Sequence, residues 1–479
     1  MSETKQNASL KENKMGTMPI LKLVLNMSLP MIISMLVQAV YNVVDSMYVS
    51  RLSEASLTAV SLAFPAQNLM IAVATGTGVG VNALLSRALG EKNRDLANRV
   101  AENGVLLAMV GYVLFLILGL TVSRAFIAAQ TGVTEIISYG EDYLTVVCCF
   151  SFGVFGQIMF ERLMQSTGRT KYTLFTQGTG AVINIILDPV FIFGQDNFEL
   201  FGLKIGVFDM GVKGAAVATV IGQIVAFILA VILNQLKNPD IRLRLSSFRP
   251  DMKLIRRIYA IGIPSVLMVA IGSLMTFLMN KILISYTPGK ETAATVFGIY
   301  FKLNSFVFMP IFGLNNGVIP IIAYNFGAAN RLRIEKAVKV SLVIACMFML
   351  IGTALFLFIP GSLLSIFNAD ENMLSIGIPA LRIICIPFLA AAVSIVLGSI
   401  FQALGRSVYS MIVSIARQLV VLLPVALLLA MLGQQNGNSD LVWYAFPVSE
   451  LASLGCSVFF FFRIYKTMIR PLPEGTKIL

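Results

Sequence analysis

The chain has 479 residues, 57% of them apolar and 13% charged, with a net charge of +12. That composition excludes a soluble globular domain, and apolar runs of about 20 residues recur from end to end, so the fold class is an all-α polytopic membrane protein. The basic excess sits in short segments between those runs, which marks topology and not nucleic-acid binding. The absence of histidine removes imidazole metal sites, Ser-His catalysis and the helical zinc-protease motif.

In chain order, the first eighteen residues are polar, with Lys5, Lys11 and Lys14 and no apolar core before a small-residue cleavage site; no signal peptide is expected. Twelve spans follow, at roughly 27–50, 57–82, 101–123, 140–164, 170–194, 213–236, 257–283, 293–321, 337–360, 373–401, 407–431 and 442–464. With the N-terminus assigned to the cytoplasm, 27 of the 36 Lys and Arg fall on inner segments and six on outer ones, leaving Lys302, Arg382 and Arg417 within spans. A bias of that size over short loops predicts both termini in the cytoplasm. Cys148, Cys149, Cys346, Cys385 and Cys456 all lie inside apolar runs, where free cysteine acts as a small hydrophobe, and no disulfide is expected.

The chain repeats itself. Gln165-x-x-Gly168-Arg169-x-x-Tyr172 recurs in the second half as Gln402-x-x-Gly405-Arg406-x-x-Tyr409, and Gly90-x-x-Asn93-Arg94 recurs at the same offset as Gly327-x-x-Asn330-Arg331. Pro30 and Pro264 open the first helix of each half at nearly that offset. Ordered matches at almost one offset indicate a duplicated six-helix unit. Six is even, so the copies share an orientation and are related by an axis along the membrane normal. The expected organisation is a cytoplasmic tail over 1–26, an N-lobe over 27–236, a linker over 237–256 containing Pro239, Ser246, Ser247 and Pro250, a C-lobe over 257–464 and a cytoplasmic tail over 465–479. Gly76-x-Gly78-x-Gly80 has neither a preceding strand nor a following Lys-Ser/Thr, so it reads as a helix contact and not as a nucleotide loop. Asp196, Glu199, Asp209, Asp370 and Glu371 fall in outer loops and read as solvated.

The polar residues inside spans carry the chemistry. A carboxylate in hydrocarbon is expensive and normally faces a protein interior or a wet cavity. Asn184 precedes Asp188 by one turn, so amide and carboxylate share a face, and Pro189 is expected to loosen the helix and free carbonyl oxygens. Counted from the inner end, Asp45 and Asp188 each lie about 17 residues into their spans, near 25 Å; Thr219 lies roughly 10 Å below the outer end of the sixth span, in nearly the same plane. Gln38 and Tyr41 share a face with Asp45. The prediction is a polar pocket in the first half, built from Asp45, Asn184, Asp188 and Thr219 with Gln38 and Tyr41 beside it. Two carboxylates close together in low dielectric do not both ionise cheaply, so one takes a proton or a cation. The bland alternatives are an Asp45 that reaches water at the outer interface and a Thr219 bonded to its own backbone. Glu161 beside Arg162 reads equally as an interfacial pair or a functional group. Glu450 is placed to pair with Arg417, while Lys302 and Arg382 are close enough to the outer face to snorkel. Most of the 23 methionines read as packing, including Met268 and Met279; Met31, Met35 and Met275, where they line the cleft, would suit varied apolar substrates.

Gln38-x-x-Tyr41-x-x-x-Asp45, Asn184-x-x-x-Asp188-Pro189 and Gly211-x-x-Gly214-Ala215-Ala216-x-Ala218-Thr219, with a Gly-Arg after the fourth and tenth spans, resemble the multidrug and toxic compound extrusion (MATE) family over nearly the whole chain. The likeness is to the branch that includes DinF-like and MepA-like transporters. It implies two six-helix lobes and export of diverse, often cationic small molecules, driven by H+ or Na+ through the N-lobe acids. A Na+ ion would be held by Asp45, Asn184, Asp188 and Thr219; the charge change would alter the packing of a bent first helix. The seventh span has no carboxylate and the tenth has Arg382 but no Asp or Glu inside it, so a C-lobe cation site of the NorM-like kind is not expected. The further expectations are a monomer in the bacterial plasma membrane, with no cofactor, no enzymatic activity and no nucleic-acid partner. The runner-up function is a flippase for a lipid-linked precursor, which predicts a strongly basic cleft and more than twelve spans. A major-facilitator transporter is disfavoured because the loop 87–99 lacks Gly-x-x-x-Asp-Arg.

Overall fold

The computed structural model describes residues 13–194, 199–200, 203–204, 207–243, 249–287, 290–367 and 369–474. Lys5, Lys11, Asp196, Ser246 and Ser247 of the sequence reading lie outside the described residues. All twelve expected spans are helical: α1 (Ile20–Ser50), α2 (Glu54–Gly90), α3 (Arg94–Thr121), α4 (Thr134–Cys149 plus Phe152–Ser166), α5 (Thr170–Ile192), α6 (Gly211–Lys237), α7 (Met252–Tyr286), α8 (Lys290–Gly327), α9 (Arg331–Phe358), α10 (Glu371–Cys385 plus Phe388–Ala403), α11 (Ser407–Asn436) and α12 (Asp440–Ile469). The helices overrun the apolar windows: α1 starts at Ile20 and α2 runs to Gly90. Helices continue into the interface until a cap stops them, whereas hydropathy sees only the hydrocarbon depth. A short antiparallel pair, β1 (Glu199–Leu200) and β2 (Leu203–Lys204), lies between α5 and α6.

The duplication is visible in the backbone. Asn93 and Asn330 cap α3 and α9 by accepting from Leu96 N and Arg333 N. Lys92 and Ala329 ahead of them both take positive φ, 58° and 52°. Gly168 and Gly405 turn the chain after α4 and α10 with φ of 83° and 74°, a region that glycine enters without a Cβ penalty. α4 bends by 45° between Cys149 and Phe152, and α10 by 52° between Cys385 and Phe388. There are two apolar cores, one around Phe115, Phe155 and Met159 that also takes in Leu254 and Ile258 of α7, the other around Phe297, Phe356, Phe401 and Trp443 that also takes in Leu23, Met27 and Ile32 of α1. Met109, Leu120, Phe277 and Phe358 face outward, as lipid-facing residues do.

One point differs from expectation. α5 does not unwind at Pro189: it stays helical to Ile192 and closes with Phe193 N donating to Pro189 O at 3.4 Å. Pro189 has no N–H, so Ile185 O still loses its in-helix donor, but the helical backbone runs on through it. α1, which contains Pro30, is also one unbroken helix, as a bent helix can be.

The lobes meet on the side of the termini. Gly76 and Gly80 of α2 sit against Gly262 and Ile258 of α7, so the glycine run is a helix contact as expected. At the helix ends a Cβ on Gly90 would strike Tyr324 O, and one on Gly327 would strike Arg87 O; two bare backbones are what let α2 and α8 cross there. Asn13 donates to Thr167 O of the N-lobe, while Arg333 of the C-lobe donates to Met15 O and Met18 O, so a turn at Lys14–Thr17 straps the two lobes together.

Candidate functional site

α1, α5 and α6 bring the predicted cluster together inside the N-lobe. Asp188 is fully buried, and Asn184 and Thr219 nearly so. The Asn184 amide donates from Nδ2 to Asp188 Oδ1 at 3.1 Å and reaches Thr219 Oγ1 at 3.2 Å. Asp45, half-buried on α1, interacts with Asp188 side chain to side chain. Apart from that contact between the carboxyl groups, no donor reaches Asp45 Oδ1, Asp188 Oδ2 or Asn184 Oδ1. Buried acceptors are almost always satisfied, so three unmet oxygens in one cluster describe a place short of positive charge. A proton on one carboxyl or a small hard cation supplies it equally well. Among the described residues no three of His, Cys, Asp and Glu group as a metal site, so a cation here would rely on the amide and hydroxyl oxygens of Asn184 and Thr219 beside the two carboxylates.

A cavity of about 250 Å³ leads to the cluster. Met31, Met35, Gln38 and Tyr41 line it from α1, and Asn184 and Thr219 from α5 and α6. The lining ends at Tyr41 and Asn184, with Asp45 and Asp188 one helical turn beyond them. Met275 belongs elsewhere: it lines a second cavity, of about 560 Å³, between the lobes.

Glu161 corrects one of the two readings offered for it. Although Arg162 follows it, the two side chains take different partners. Glu161 is 2% exposed and receives hydrogen bonds from Gln157 Nε2 (3.0 Å), Thr176 Oγ1 (2.7 Å) and Gln177 Nε2 (2.8 Å). Arg162 donates to Gln165 Oε1 (2.8 Å) and, across the lobes, to Asn316 Oδ1 (2.9 Å). Adjacent helical residues point about 100° apart, so a side-by-side pair in sequence is not one in space. Glu161 lines the same cavity as Asn184. Tyr143 on α4 was not found from sequence: it is buried beside Asp45 and donates to Gln67 Oε1 at 3.4 Å. Only its place in the fold brings it there. Arg417 and Glu450 pair as expected, at 3.2 Å. Arg382 is exposed and donates to Leu357 O, and Lys302 lies over the Phe367 ring.

Twelve spans in two pseudo-symmetric bundles, with a buried acidic cluster reached from a cavity, fit a membrane transporter. The chain belongs to the MatE family, whose model matches residues 30–190 and 264–428, once in each lobe. It is similar to the multidrug export protein MepA of Staphylococcus haemolyticus (strain JCSC1435), 26% identical over 425 residues covering 88% of this chain and 89% of that one. Its counterpart in Staphylococcus aureus (strain MRSA252) is 25% identical over 438 residues, covering 91% and 92%. Among solved structures, a MATE protein in the straight conformation superposes with a TM-score of 0.88 at 23% identity, covering 96% of this chain and 99% of that one. A MOP superfamily transporter from Pyrococcus furiosus does so with 0.87 at 24%, covering 96% and 99%. At these identities the structural likeness carries the fold.

Proposed function

We propose that this protein is an antiporter of the bacterial plasma membrane that exports drug-like, often cationic, small molecules in exchange for H+ or Na+ by alternating access. The observation that carries this reading is the Asp45–Asp188–Asn184–Thr219 cluster with its three unpartnered buried oxygens. The export of drugs is what the names of the staphylococcal relatives state of those proteins, and a cavity walled in part by methionine and other apolar side chains suits a varied substrate range.

With both termini in the cytoplasm, the lobe contacts at Gly90, Gly327 and the Lys14–Thr17 strap lie on the inner side, so this arrangement is the outward-facing one. In it the cluster takes up the external ion. Neutralising one carboxylate removes the repulsion between Asp45 and Asp188 and lets α1 and α5 repack around Tyr41, at the end of the drug cavity. Drug that prefers the unloaded cluster is thereby released outside, and loading the ion favours the inward-facing state; coupling needs only that difference in affinity. A single chain contains both lobes and the whole cluster, so the working unit is a monomer, in contact with membrane lipid around its outward-facing apolar residues. The flippase alternative calls for a strongly basic cleft, and Arg417, the span cation that lines the interlobe cavities, is already met by Glu450.

The test is efflux of a fluorescent organic cation from proteoliposomes under an imposed pH or Na+ gradient, with wild type, Asp45→Asn and Asp188→Asn. Gradient-driven efflux is expected in wild type and cut at least about fivefold in both variants. Efflux that persists at the wild-type rate in both would place coupling outside this cluster.

A further inference from the structure

Two charges that the N-lobe cluster does not use sit inside the C-lobe. Arg417 lies about ten residues from the start of α11 and Glu450 about ten from the start of α12, each near 15 Å from its helix end and so at mid-depth. Ionisable groups at that depth are costly and by default mark a substrate or ion path. Their contact is a single one: Arg417 Nη1 donates to Glu450 Oε1, and Glu450 Oε2 is buried without a partner. The pair is not sealed off either. The two side chains are 25% and 16% exposed and line the 560 Å³ cavity between the lobes, and Arg417 also lines an adjoining cavity of about 630 Å³. Around Arg417 the helix is wound as a π-segment, Ala416–Leu422, a local widening that recurs at functional sites.

The walls supply the rest. Tyr300, Phe301, Phe308, Phe312 and Phe446 face the first cavity. In the second, Asn315, Ser394 and Ser453 are each more than nine-tenths buried, and each holds a polar oxygen with no partner. An ion pair whose only task is to tie α11 to α12 needs neither an open cavity nor an unmet carboxylate oxygen.

We propose that the Arg417–Glu450 pair is a binding site for aromatic zwitterions. The ligand carboxylate takes the guanidinium donors that Glu450 leaves free, its cationic nitrogen takes the unpartnered Glu450 oxygen, and its rings pack on the phenylalanine wall. When the ligand leaves, the pair closes on itself, so neither state leaves a lone buried charge. Both cavities are of the size that holds a drug-sized molecule. This names a substrate class for the exporter read above and rests on that reading only for its physiological meaning, because binding is measurable without transport.

The experiment is equilibrium binding to the purified full-length protein in nanodiscs, read by fluorescence anisotropy. The probes are an aminoxanthene dye with a free carboxylate, a zwitterion, and the methyl ester of the same dye, a cation. Wild type is expected to prefer the zwitterion by about tenfold, the worth of one charge-assisted contact. In the neutral pair Arg417→Gln/Glu450→Gln the ratio is expected to fall to about one, the ester serving as the control for a folded protein. Arg417→Lys keeps the charge but loses the planar fork, and is expected to cut the preference severalfold; it decides the matter should the double variant bind neither dye. Equal binding of the two dyes to wild type, or a preference that survives these substitutions, overturns the proposal. Loss of gradient-driven transport with this preference intact would count against the antiport reading alone.

Discussion

Where the N-lobe carries Asp45, the matching position of the C-lobe repeat, set by the Pro30–Pro264 offset, carries a fully buried Met279. Where the N-lobe has Asn184 and Asp188, the C-lobe has Val421 and Val425, at the offset of the two Gly-Arg motifs. Elsewhere in the repeat the backbones still match, in the paired positive φ at Lys92 and Ala329 and the paired bends in α4 and α10. The C-lobe instead places its charges, Arg417 and Glu450, on the wall between the lobes, beside a π-wound stretch whose counterpart in α5 is regular helix. Duplication thus copied the scaffold, and the two interiors were furnished separately: fold is set by packing, and function by the few polar groups grafted onto it.

The largest effect that separates the lobes is expected at the acids. Asp188→Asn removes the titratable oxygen while keeping the shape, and should cut ion-driven efflux by roughly 5- to 150-fold, the usual span of a coupling free energy. Met279→Leu and Val425→Ile at the matching C-lobe positions are near volume-conserving and should cost under about 1.5 kcal/mol, with efflux rates close to wild type. Initial rates in proteoliposomes check both, and a C-lobe swap as damaging as Asp188→Asn would end the division of labour.

Next in size is the seam between the lobes. A methyl group on Gly90 meets Tyr324 O, and on Gly327 it meets Arg87 O. Gly90→Ala and Gly327→Ala should each overpack the closed side by about 1–3 kcal/mol, and that penalty exists only in the state where α2 and α8 cross. The population should therefore move toward the state open on the side of the termini, visible as a longer distance between spin labels on the ends of α2 and α8. An unchanged distance distribution would show that the crossing does not report on the state.

Much of this is legible in the sequence. The twelve spans follow from apolar runs that have no other use, and the duplication from Gly-Arg and Gly-x-x-Asn-Arg pairs at one offset. The convergence of Asp45, Asn184, Asp188 and Thr219 followed from counting residues at a fixed rise per residue, because a membrane turns depth into a shared coordinate. What depth does not give is azimuth. Glu161 reads from the sequence equally as an interfacial partner of Arg162 or a functional group, and only the packing of α5 against α4 gives its attachment to Thr176 and Gln177. The 45° bend in α4 is equally hidden, with no proline at Phe150 or Ser151 to announce it. Pro189 marks a missing donor to Ile185 O in the turn before it, but whether the helix unwinds there is set by the surrounding packing, and here it runs on to Ile192.

A smaller effect is expected within the cluster. Thr219→Val removes the hydroxyl that Asn184 Nδ2 reaches and keeps the volume, at a cost of about 1 kcal/mol. The ion concentration that half-saturates efflux should shift by about fivefold with the maximal rate little changed. In the C-lobe, Ser414 accepts from Gln418 Nε2 in a comparable way, and Ser414→Ala should leave the ion dependence where it was. If both substitutions move it alike, the ion senses both lobes.

The smallest effect concerns what the lobes still share. Asn93 and Asn330 occupy the same place in the repeat, cap α3 and α9 through the same side-chain oxygen at 3.0 and 3.2 Å, and follow residues held at nearly the same positive φ. Replacing either by alanine removes one cap, at about 1 kcal/mol of stability. Because the local geometry is duplicated and neither residue lines the cavities described above, Asn93→Ala and Asn330→Ala should lower the unfolding midpoint by the same amount and leave efflux per folded molecule unchanged. The strap makes the C-lobe cap the stricter case: Arg333, whose amide Asn330 caps, also reaches Met15 O and Met18 O. A larger loss at Asn330 than at Asn93 would therefore measure how far the lobe-to-lobe strap depends on the first turn of α9, and equal losses would confine the cap to its own helix.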